Sequence, residues 1–366
     1  MNKTLFSIHK WSGICLFILF FLQGATGFIM TNKDTLTPWS FGTAIHNTDN
    51  SPISLDTTLE AVKALYPDYS LERIIYPLAQ DVPLIVRMTP NDGFWLAIVY
   101  LDRETGRPIS HGMVWQYPAQ FSERIHVSLL AGTTGHFILL VEGILLTFMA
   151  VSGLILWWPK KNRFARALRI TFDKGIKRTV RDIHVVPAVV TAPFMIILAV
   201  AGSLIIAEPL VAPIVNIFAP VGPPLNIEFE EIERPETLTP WQTSKDMIAD
   251  HFDDGTITQL RFMGDRMLGA VLHASKPLNP RAHHIAGVDR YSGTLMELEN
   301  ASEELAGDLF MGWFLPVHSG QIYGPFRVLI LSILGILLCG LAVTGIVMWL
   351  QRRPKKRARK IVAENT

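Results

Sequence analysis

Cysteine is nearly absent: Cys15 and Cys339 are the only two, and both fall inside apolar runs. A disulfide framework is therefore excluded, and the two thiols read as inert core residues. Charge is also sparse. Charged residues make up 18% of the 366 positions against 49% hydrophobic, on the membrane side of the globular average. The familiar catalytic signatures are missing too. No His-Glu-x-x-His, no Gly-x-Ser-x-Gly, no phosphate-binding loop and no Gly-x-Gly-x-x-Gly after a strand occurs. The chain carries no visible nicotinamide or flavin site, so any electrons it handles must come from a partner.

What is abundant is long apolar sequence. Four runs are long enough to span a bilayer, which takes about 20 residues: Ile8 to Thr31, His136 to Trp158, His184 to Ala207 and Pro325 to Leu350. Helices satisfy their own backbone in lipid, so these read as helical spans. The first run has no clear small-residue cleavage site, and is expected to stay as a span. Lys160, Lys161, Arg163, Arg166, Arg169, Lys174, Lys177, Arg178 and Arg181 separate the second and third spans, and Arg352 to Arg357 follow the fourth. The positive-inside rule puts both segments and both termini on the cytoplasmic side. It explains the basic tail without a nucleic-acid partner. The expected division is 1–33 first span, 34–118 external module, 119–159 amphipathic approach and second span, and 160–183 basic loop. Then come 184–207 third span, 208–314 second external module, 315–350 approach and fourth span, and 351–366 basic tail.

The external segments read as α+β modules. In the first, Leu55 to Tyr66 has helical periodicity, and strands are predicted at Leu71 to Tyr76, Pro83 to Met88 and Phe94 to Leu101. In the second the order returns, with a helix near Trp241 to His251 and strands near Thr256 to Met263, Met267 to His273 and His283 to Val288. Both close on an Asp-Arg-x-Thr/Ser-Gly turn, at Asp102 to Gly106 and Asp289 to Gly293.

The second and fourth spans repeat each other. Gly143-Ile144-Leu145-Leu146, Ala150-Val151-Ser152-Gly153 and Trp157 return at a constant offset of 192 as Gly335-Ile336-Leu337-Leu338, Ala342-Val343-Thr344-Gly345 and Trp349. The same offset carries His126 onto His318. Likewise His9 and His184 open the first and third spans, each 18 residues before a glycine, Gly27 or Gly202. The predicted fold is thus a helical membrane protein: four transmembrane helices from two parallel repeats, with two external α+β modules. Equivalent residues then face each other across an axis along the membrane normal. Paired imidazoles on such an axis suit the iron of haem, one group low at His9 and His184 and one high at His318 with His126 or His136. His136 has Val328 as its repeat counterpart, so symmetry favours His126, while depth in the helix favours His136. No Cys-x-x-Cys-His motif is present, so both groups are expected to be noncovalent haem b.

Glu142 lies inside the second span, where an ionisable group marks a proton relay, a holder of a ligand histidine's N–H, or a polar contact between helices. Arg181, Arg124 and Arg327 are candidates to neutralise haem propionates, with interfacial snorkelling as the alternative.

Several motifs together resemble the PepSY-associated transmembrane family, also called iron-regulated membrane proteins. They are His9-Lys10-Trp11-Ser12-Gly13, His126-x-Ser128-Leu129-Leu130-x-Gly132-x-x-Gly135-His136, Ser152-Gly153-Leu154-x-Leu156-Trp157-Trp158-Pro159, Leu315-Pro316-x-His318-x-Gly320 and Thr344-Gly345. The resemblance to its FoxB-like siderophore reductases implies PepSY-like external modules and a dihaem oxidoreductase that passes electrons outward to a ferric siderophore. The donor would be a cytoplasmic reductase or quinol, and the bilayer is the remaining partner. Pro187-Ala188 departs from the family pattern, standing where a Trp-x-Gly is expected. Two other readings are a conduit with another acceptor, and a non-enzymatic anchor that binds or regulates a protein.

Overall fold

The computed structural model describes residues 3–36, 42–47, 49, 51–159, 163–225, 227, 229–276, 279 and 282–352. Lys160, Lys161 and Asn162 of the basic loop and residues 353–366 of the basic tail lie outside the described residues. In chain order the helices are α1 (Lys3–Thr31), α2 (Lys33–Leu36), α3 (Leu55–Leu65), α4 (Pro118–Ser128), α5 (Gly132–Trp157) and α6 (Phe164–Ala167). They continue with α7 (Ile176–Ile206), α8 (Glu208–Val215), α9 (Trp241–His251), α10 (Ala306–Gly312), α11 (Phe314–His318) and α12 (Arg327–Arg352). The strands are β1 (Thr43–Ala44), β2 (Tyr69–Ile75), β3 (Leu84–Pro90), β4 (Ala97–Leu101), β5 (Pro108–Met113), β6 (Gly255–Met263), β7 (Met267–Ala274), β8 (His283–Asp289) and β9 (Thr294–Glu299). They fall into two compact units. One is Met1–Thr31, Glu123–Ile206 and Val317–Thr366, and the other is Asn32–Ser122 and Ala207–Pro316.

The first unit is a bundle of α1, α5, α7 and α12, which supply the four apolar segments long enough to cross a membrane. Large apolar side chains such as Phe137, Ile155 and Ile336 stay exposed on it, as lipid-facing residues do. Neighbours run α1–α12–α7–α5 and back to α1, so α1 and α7 stand across the bundle from each other. The closest backbone approaches use glycine. A Cβ on Gly335 would lie 2.8 Å from the Gly24 carbonyl oxygen, and one on Gly143 3.3 Å from that of Ala199.

Three spans begin earlier than the hydropathy predicts. α1 starts at Lys3, α5 at Gly132 and α7 at Ile176, so His9, His136 and His184 lie inside their helices instead of opening them. The cause is polar helical sequence that a hydropathy window discards. In α7 that first stretch is held by Arg178 Nε donating to Asp182 at 2.8 Å, an i,i+4 ion pair whose carboxylate is buried. Pro187 and Pro193 lie within α7, and the Thr191 hydroxyl donates to the Pro187 carbonyl.

The second unit is built on one nine-stranded antiparallel sheet in the order β1-β5-β4-β3-β2-β6-β7-β8-β9. α3 and α9 bury Leu59, Val62 and Ile248 against Ile74, Val86, Leu260 and Leu268. β5 and β9 were not predicted, because Pro108-Ile-Ser-His-Gly-Met and Thr294-Leu-Met-Glu-Leu-Glu lack a β-branched run. They follow the two Asp-Arg-x-Thr/Ser-Gly turns, whose glycines take φ of 74° at Gly106 and 72° at Gly293. At the first turn the Thr105 N–H donates to Asp102 at 2.7 Å and holds its carboxyl below the usual range.

At the middle of the sheet β2 pairs with β6. Ile74 lies opposite Leu260, with Arg73 opposite Arg261 and Ile75 opposite Gln259. Residues 186 apart (260−74, 261−75, 259−73) therefore meet symmetrically. The helix N-termini are bound in the same reciprocal manner. The Asp56 carboxylate accepts the N–H groups of Trp241 and Gln242 at 2.9 Å each, while Gln242 Oε1 accepts the N–H of Leu55 at 2.9 Å. The cap of α9 thus comes from α3, whereas α3 is capped by its own Ser54, which accepts the Thr57 N–H, and takes only the Leu55 bond from α9. Asp56→Ala strips two donors from α9 and is expected to cost about 1–2 kcal/mol. Gln242→Ala removes one neutral bond and should cost about 0.5–1 kcal/mol. Thermal unfolding of the purified protein should place the Asp56 variant below the Gln242 variant; the reverse order would contradict this account of the joint.

Candidate functional site

Four histidines of the bundle are each seated by one hydrogen bond at Nδ1. His9 on α1 bonds the Ser152 hydroxyl of α5 at 2.7 Å, and His184 on α7 bonds the Thr344 hydroxyl of α12 at 2.9 Å. These seats are the repeated Ser152-Gly153 and Thr344-Gly345, and the glycine belongs to the seat. A Cβ on Gly153 would stand 3.5 Å from His9 Cε1, and one on Gly345 3.6 Å from His184 Cε1. His126 on α4 bonds the Thr26 hydroxyl of α1 at 3.0 Å, and His318 at the end of α11 bonds the Leu198 carbonyl of α7 at 2.8 Å. Gly27 and Gly202 lie beneath these rings, where a Cβ would approach Cε1 to 3.3 and 2.7 Å. Gly27 and Gly202 are the glycines that the sequence pairs with His9 and His184. They serve the other two imidazoles instead.

The partners fix the tautomer. A carbonyl only accepts, so His318 Nδ1 carries the proton. The three hydroxyls each have one hydrogen, and each already has a backbone acceptor. Ser152 donates to Met149, Thr344 to Gly340 and Thr26 to Leu22, at 3.2, 2.7 and 2.6 Å. Those hydroxyls therefore accept from Nδ1–H. All four rings leave Nε2 unprotonated, and among the described residues none bonds to it. This is the ring state that a metal ligand requires.

Both pairs lie across the α1–α7 diagonal. His126 and His318 face each other with ring centroids 6.0 Å apart and planes at 44°. His9 and His184 lie within electrostatic reach of one another. The seats on α1 fall at residues 9 and 26–27, so the two levels are about 25 Å apart along the helix.

The upper pair is aimed by two tight corners. After His126 the chain turns through left-handed Leu129 and Leu130, at φ of 50° and 59°. It then enters α5 so closely that a Cβ on Gly135 would lie 1.6 Å from the Ser128 carbonyl oxygen. After His318 the turn is made by Gly320 at φ 71°. The motifs around His126 and His318 are thus corner sequences that present an imidazole.

Residues 6–352 match the family model described as the PepSY-associated TM region. The chain belongs to that family. No curated protein matches it. The donor set tests the haem that this family suggested. Among the described residues, no group of three His, Cys, Asp or Glu could hold a bare metal ion. Two imidazoles per level suit a metal that brings its own four equatorial ligands. With metal–nitrogen bonds of about 2 Å, two axial imidazoles place their centroids about 6 Å apart, which the upper pair meets. All four rings also keep part of their surface uncovered. The residues present fit the group.

Other candidates fall differently. His136 is exposed on α5. The structure brings His126, not His136, against His318, because the corner turns α5 outward at that point. Glu142 is 3% exposed and neither oxygen has a partner, so it does not hold an imidazole N–H; each Nδ1–H is already taken. Arg181 pairs with Asp182 at 3.3 Å. Beyond His318, the buried Ser319 Oγ, Tyr323 hydroxyl and Arg327 Nε have no partner, which leaves a donor-rich margin beside the upper pair. Sequence reasoning missed the seats themselves, although the repeated Ser/Thr-Gly dipeptide was their visible trace.

Alanine at Gly202 forces His318 off its seat, whereas at Gly27 the neighbouring ring need yield only a few tenths of an ångström. Gly202→Ala should cost about 1–3 kcal/mol, and the melting point of the purified protein should fall further for it than for Gly27→Ala. Equal stability of the two variants would refute the seat.

Proposed function

We propose that this protein is a dihaem inner-membrane reductase that carries electrons from the cytoplasmic side to a ferric siderophore outside, releasing Fe(II). The observation that carries the reading is the common tautomer: four membrane imidazoles, each donating from Nδ1 and each with Nε2 free. His9 and His184 would hold the lower haem b, and His126 and His318 the upper. Bound there, haem supplies one-electron redox chemistry at two levels of the membrane. The chain supplies position. The hydroxyl and carbonyl acceptors fix ring orientation and raise ligand basicity. The glycines let the rings lie against helix backbone, and the apolar bundle keeps water from the interior.

The reading takes the chain as two parallel repeats, each an initial span, a PepSY-like module, a short approach helix and a second span. The matching offsets, the symmetric pairing around Ile74 and Leu260 and the equivalent seats at Ser152 and Thr344 support it. The basic residues Arg163 to Arg181 support a cytoplasmic loop and cytoplasmic termini. The lower pair, with Lys10 and Arg181 nearby in sequence, then lies at the electron-entry side, and the upper pair follows closely in the chain on the segments read as the modules. A bulky ferric chelate cannot cross the bilayer, so the electrons must. Reduction frees the metal because Fe(II) binds hard oxygen ligands less tightly than Fe(III).

Pyridine haemochrome analysis should give two haem b per chain, and a colourless preparation from haem-replete cells would leave the anchor reading standing. His9→Ala and His184→Ala should each perturb one haem, and His126→Ala and His318→Ala the other, with loss of low-spin character. His136→Ala should leave the spectrum intact; if it alone disturbs the upper haem, His126 is the wrong ligand.

The acceptor is tested separately. Chemically reduced protein in liposomes of one orientation should be reoxidised by a ferric siderophore only on the face bearing the modules, with Fe(II) collected by ferrozine. Persistence of the reduced spectrum with every ferric chelate, alongside rapid reoxidation by a quinone, would replace the siderophore as acceptor.

A further inference from the structure

The bundle holds one ionisable group that the reading above leaves without a task. Gly135, Leu139, Glu142 and Ser152 form the buried stripe of α5. Ser152 seats His9 at the lower level. Glu142 stands ten residues above it, about 15 Å along the helix. The next residue marks its level. A Cβ on Gly143 would lie 2.3 Å from Ser203 Oγ and 3.3 Å from the Ala199 carbonyl oxygen, and Leu198 and Gly202 on the same turns of α7 seat His318. Glu142 therefore lies between the two levels, on the side of the upper pair.

Its surroundings contain no counter-charge. From Cys15 to Thr31, α1 carries no titratable side chain but the Cys15 thiol, and from Val185 to Ile206, α7 carries none. Their charged residues, Lys3, His9 and Lys10 on α1 and Lys177, Arg178, Arg181, Asp182 and His184 on α7, belong to the lower end. α5 itself adds only the exposed His136. Toward α12 the titratable groups are Cys339, Arg352 and, at its start, Arg327, with Tyr323 and His318 just before it. Among the described residues none of these bonds to Glu142, whose two oxygens are both buried and unpartnered. The Ser203 hydroxyl is spent on the Ala199 carbonyl at 2.8 Å. A carboxylate so buried has no partner among the described residues, and without a positive charge beside it a carboxylic acid is the form that such a site tolerates. Packing alone does not require it either. The residue 192 positions later is Leu334, equally buried at 5%.

We propose that Glu142 is a proton-binding site of the upper level, which exchanges one proton with the external aqueous side as the charge of that level changes. This rests on the dihaem reading for the source of the charge: the net positive charge of the oxidised upper haem would hold Glu142 as the carboxylate, and one arriving electron removes that support and leaves one uncompensated negative charge. One proton taken up by the carboxylate, converting it to the neutral acid, cancels that charge. When the electron leaves, the proton leaves with it. Electron transfer at the upper level would then be electroneutral and would depend on external pH.

The test begins with infrared spectra of the whole purified protein over a pH series, read at the C=O stretch of a buried carboxylic acid. A band that titrates, shifts in deuterium oxide and is missing in Glu142→Gln supports the site. Its absence from the wild type throughout the series overturns it. Glu142→Leu, which installs the residue of the equivalent position, guards against a folding artefact of the amide. The second arm is a redox titration of the upper haem. One proton per electron predicts a midpoint that falls by about 59 mV per pH unit in the wild type and is flat in both variants. A slope unchanged in Glu142→Gln overturns the coupling. A colourless protein would sink the haem reading alone, and the C=O band would still decide the proton site.

Discussion

An imidazole inside an apolar bundle must place its ring N–H on an acceptor, and the architecture of this membrane unit follows from meeting that demand four times. A buried unpaired donor costs about 1–3 kcal/mol, so the acceptor must be built into a neighbouring helix. A helix has few spare acceptors, since its carbonyls are engaged along the ladder. Ser152, Thr344 and Thr26 solve this with hydroxyls that pass their own hydrogen to a carbonyl of the preceding turn and offer a lone pair to the ring. His318 uses a carbonyl directly, at Leu198. Either route needs the ring flat against helix backbone. That is why glycine adjoins three of the seats and lies one turn beyond the fourth.

The same constraint selects chemistry. With Nδ1–H committed, each ring has one basic nitrogen left, so the four sites are equivalent in kind though they lie on α1, α4, α7 and α11. Two opposed nitrogens per level are too few for a bare ion and sufficient for iron in a porphyrin. The proposed electron path thus rests on hydrogen bonds one shell away from the iron. Substituting a seat hydroxyl leaves every ligand in place and still alters the ligand's basicity.

Much of this was legible in the chain because several motifs recur at fixed offsets. The offset of 192 found both the second and fourth spans and the pairing of His126 with His318, and the hydropathy runs found all four helices. The sequence could not give the depth of His9 and His184, since Lys3 and residues 176–183 are too polar for a hydropathy window although they continue as helix. It left His126 and His136 in competition because their separation is decided at Leu129 and Leu130, whose left-handed conformation no propensity foretells. β5 and β9 escaped because their residues are ordinary turn and surface types, and strand pairing overrides local preference. The role of Gly27 and Gly202 was not legible either. Spacing along one helix tied them to His9 and His184, but a glycine seats whatever reaches it across the bundle.

The two halves agree most closely at the lower level and least at the upper. Below, Ser152 and Thr344 are both hydroxyls, Gly153 and Gly345 are both glycines, and the two hydrogen bonds differ by 0.2 Å (2.9 against 2.7). Above, the hydroxyl of Thr26 has Ala201 at the position 175 residues later, so His318 turns to a carbonyl. Glu142 has Leu334, and His136 has Val328. Tyr323 and Arg327, which follow His318, have Ala131 and Gly135 at the positions 192 earlier. If the duplication began with identical halves, the lower level has kept the symmetry that a simple carrier site tolerates. The upper level has lost it where a substrate without two-fold symmetry must be met from one side and where a proton must enter from one side. On the proposed reading, the asymmetry marks the external face as the place of chemistry and the lower pair as its supply.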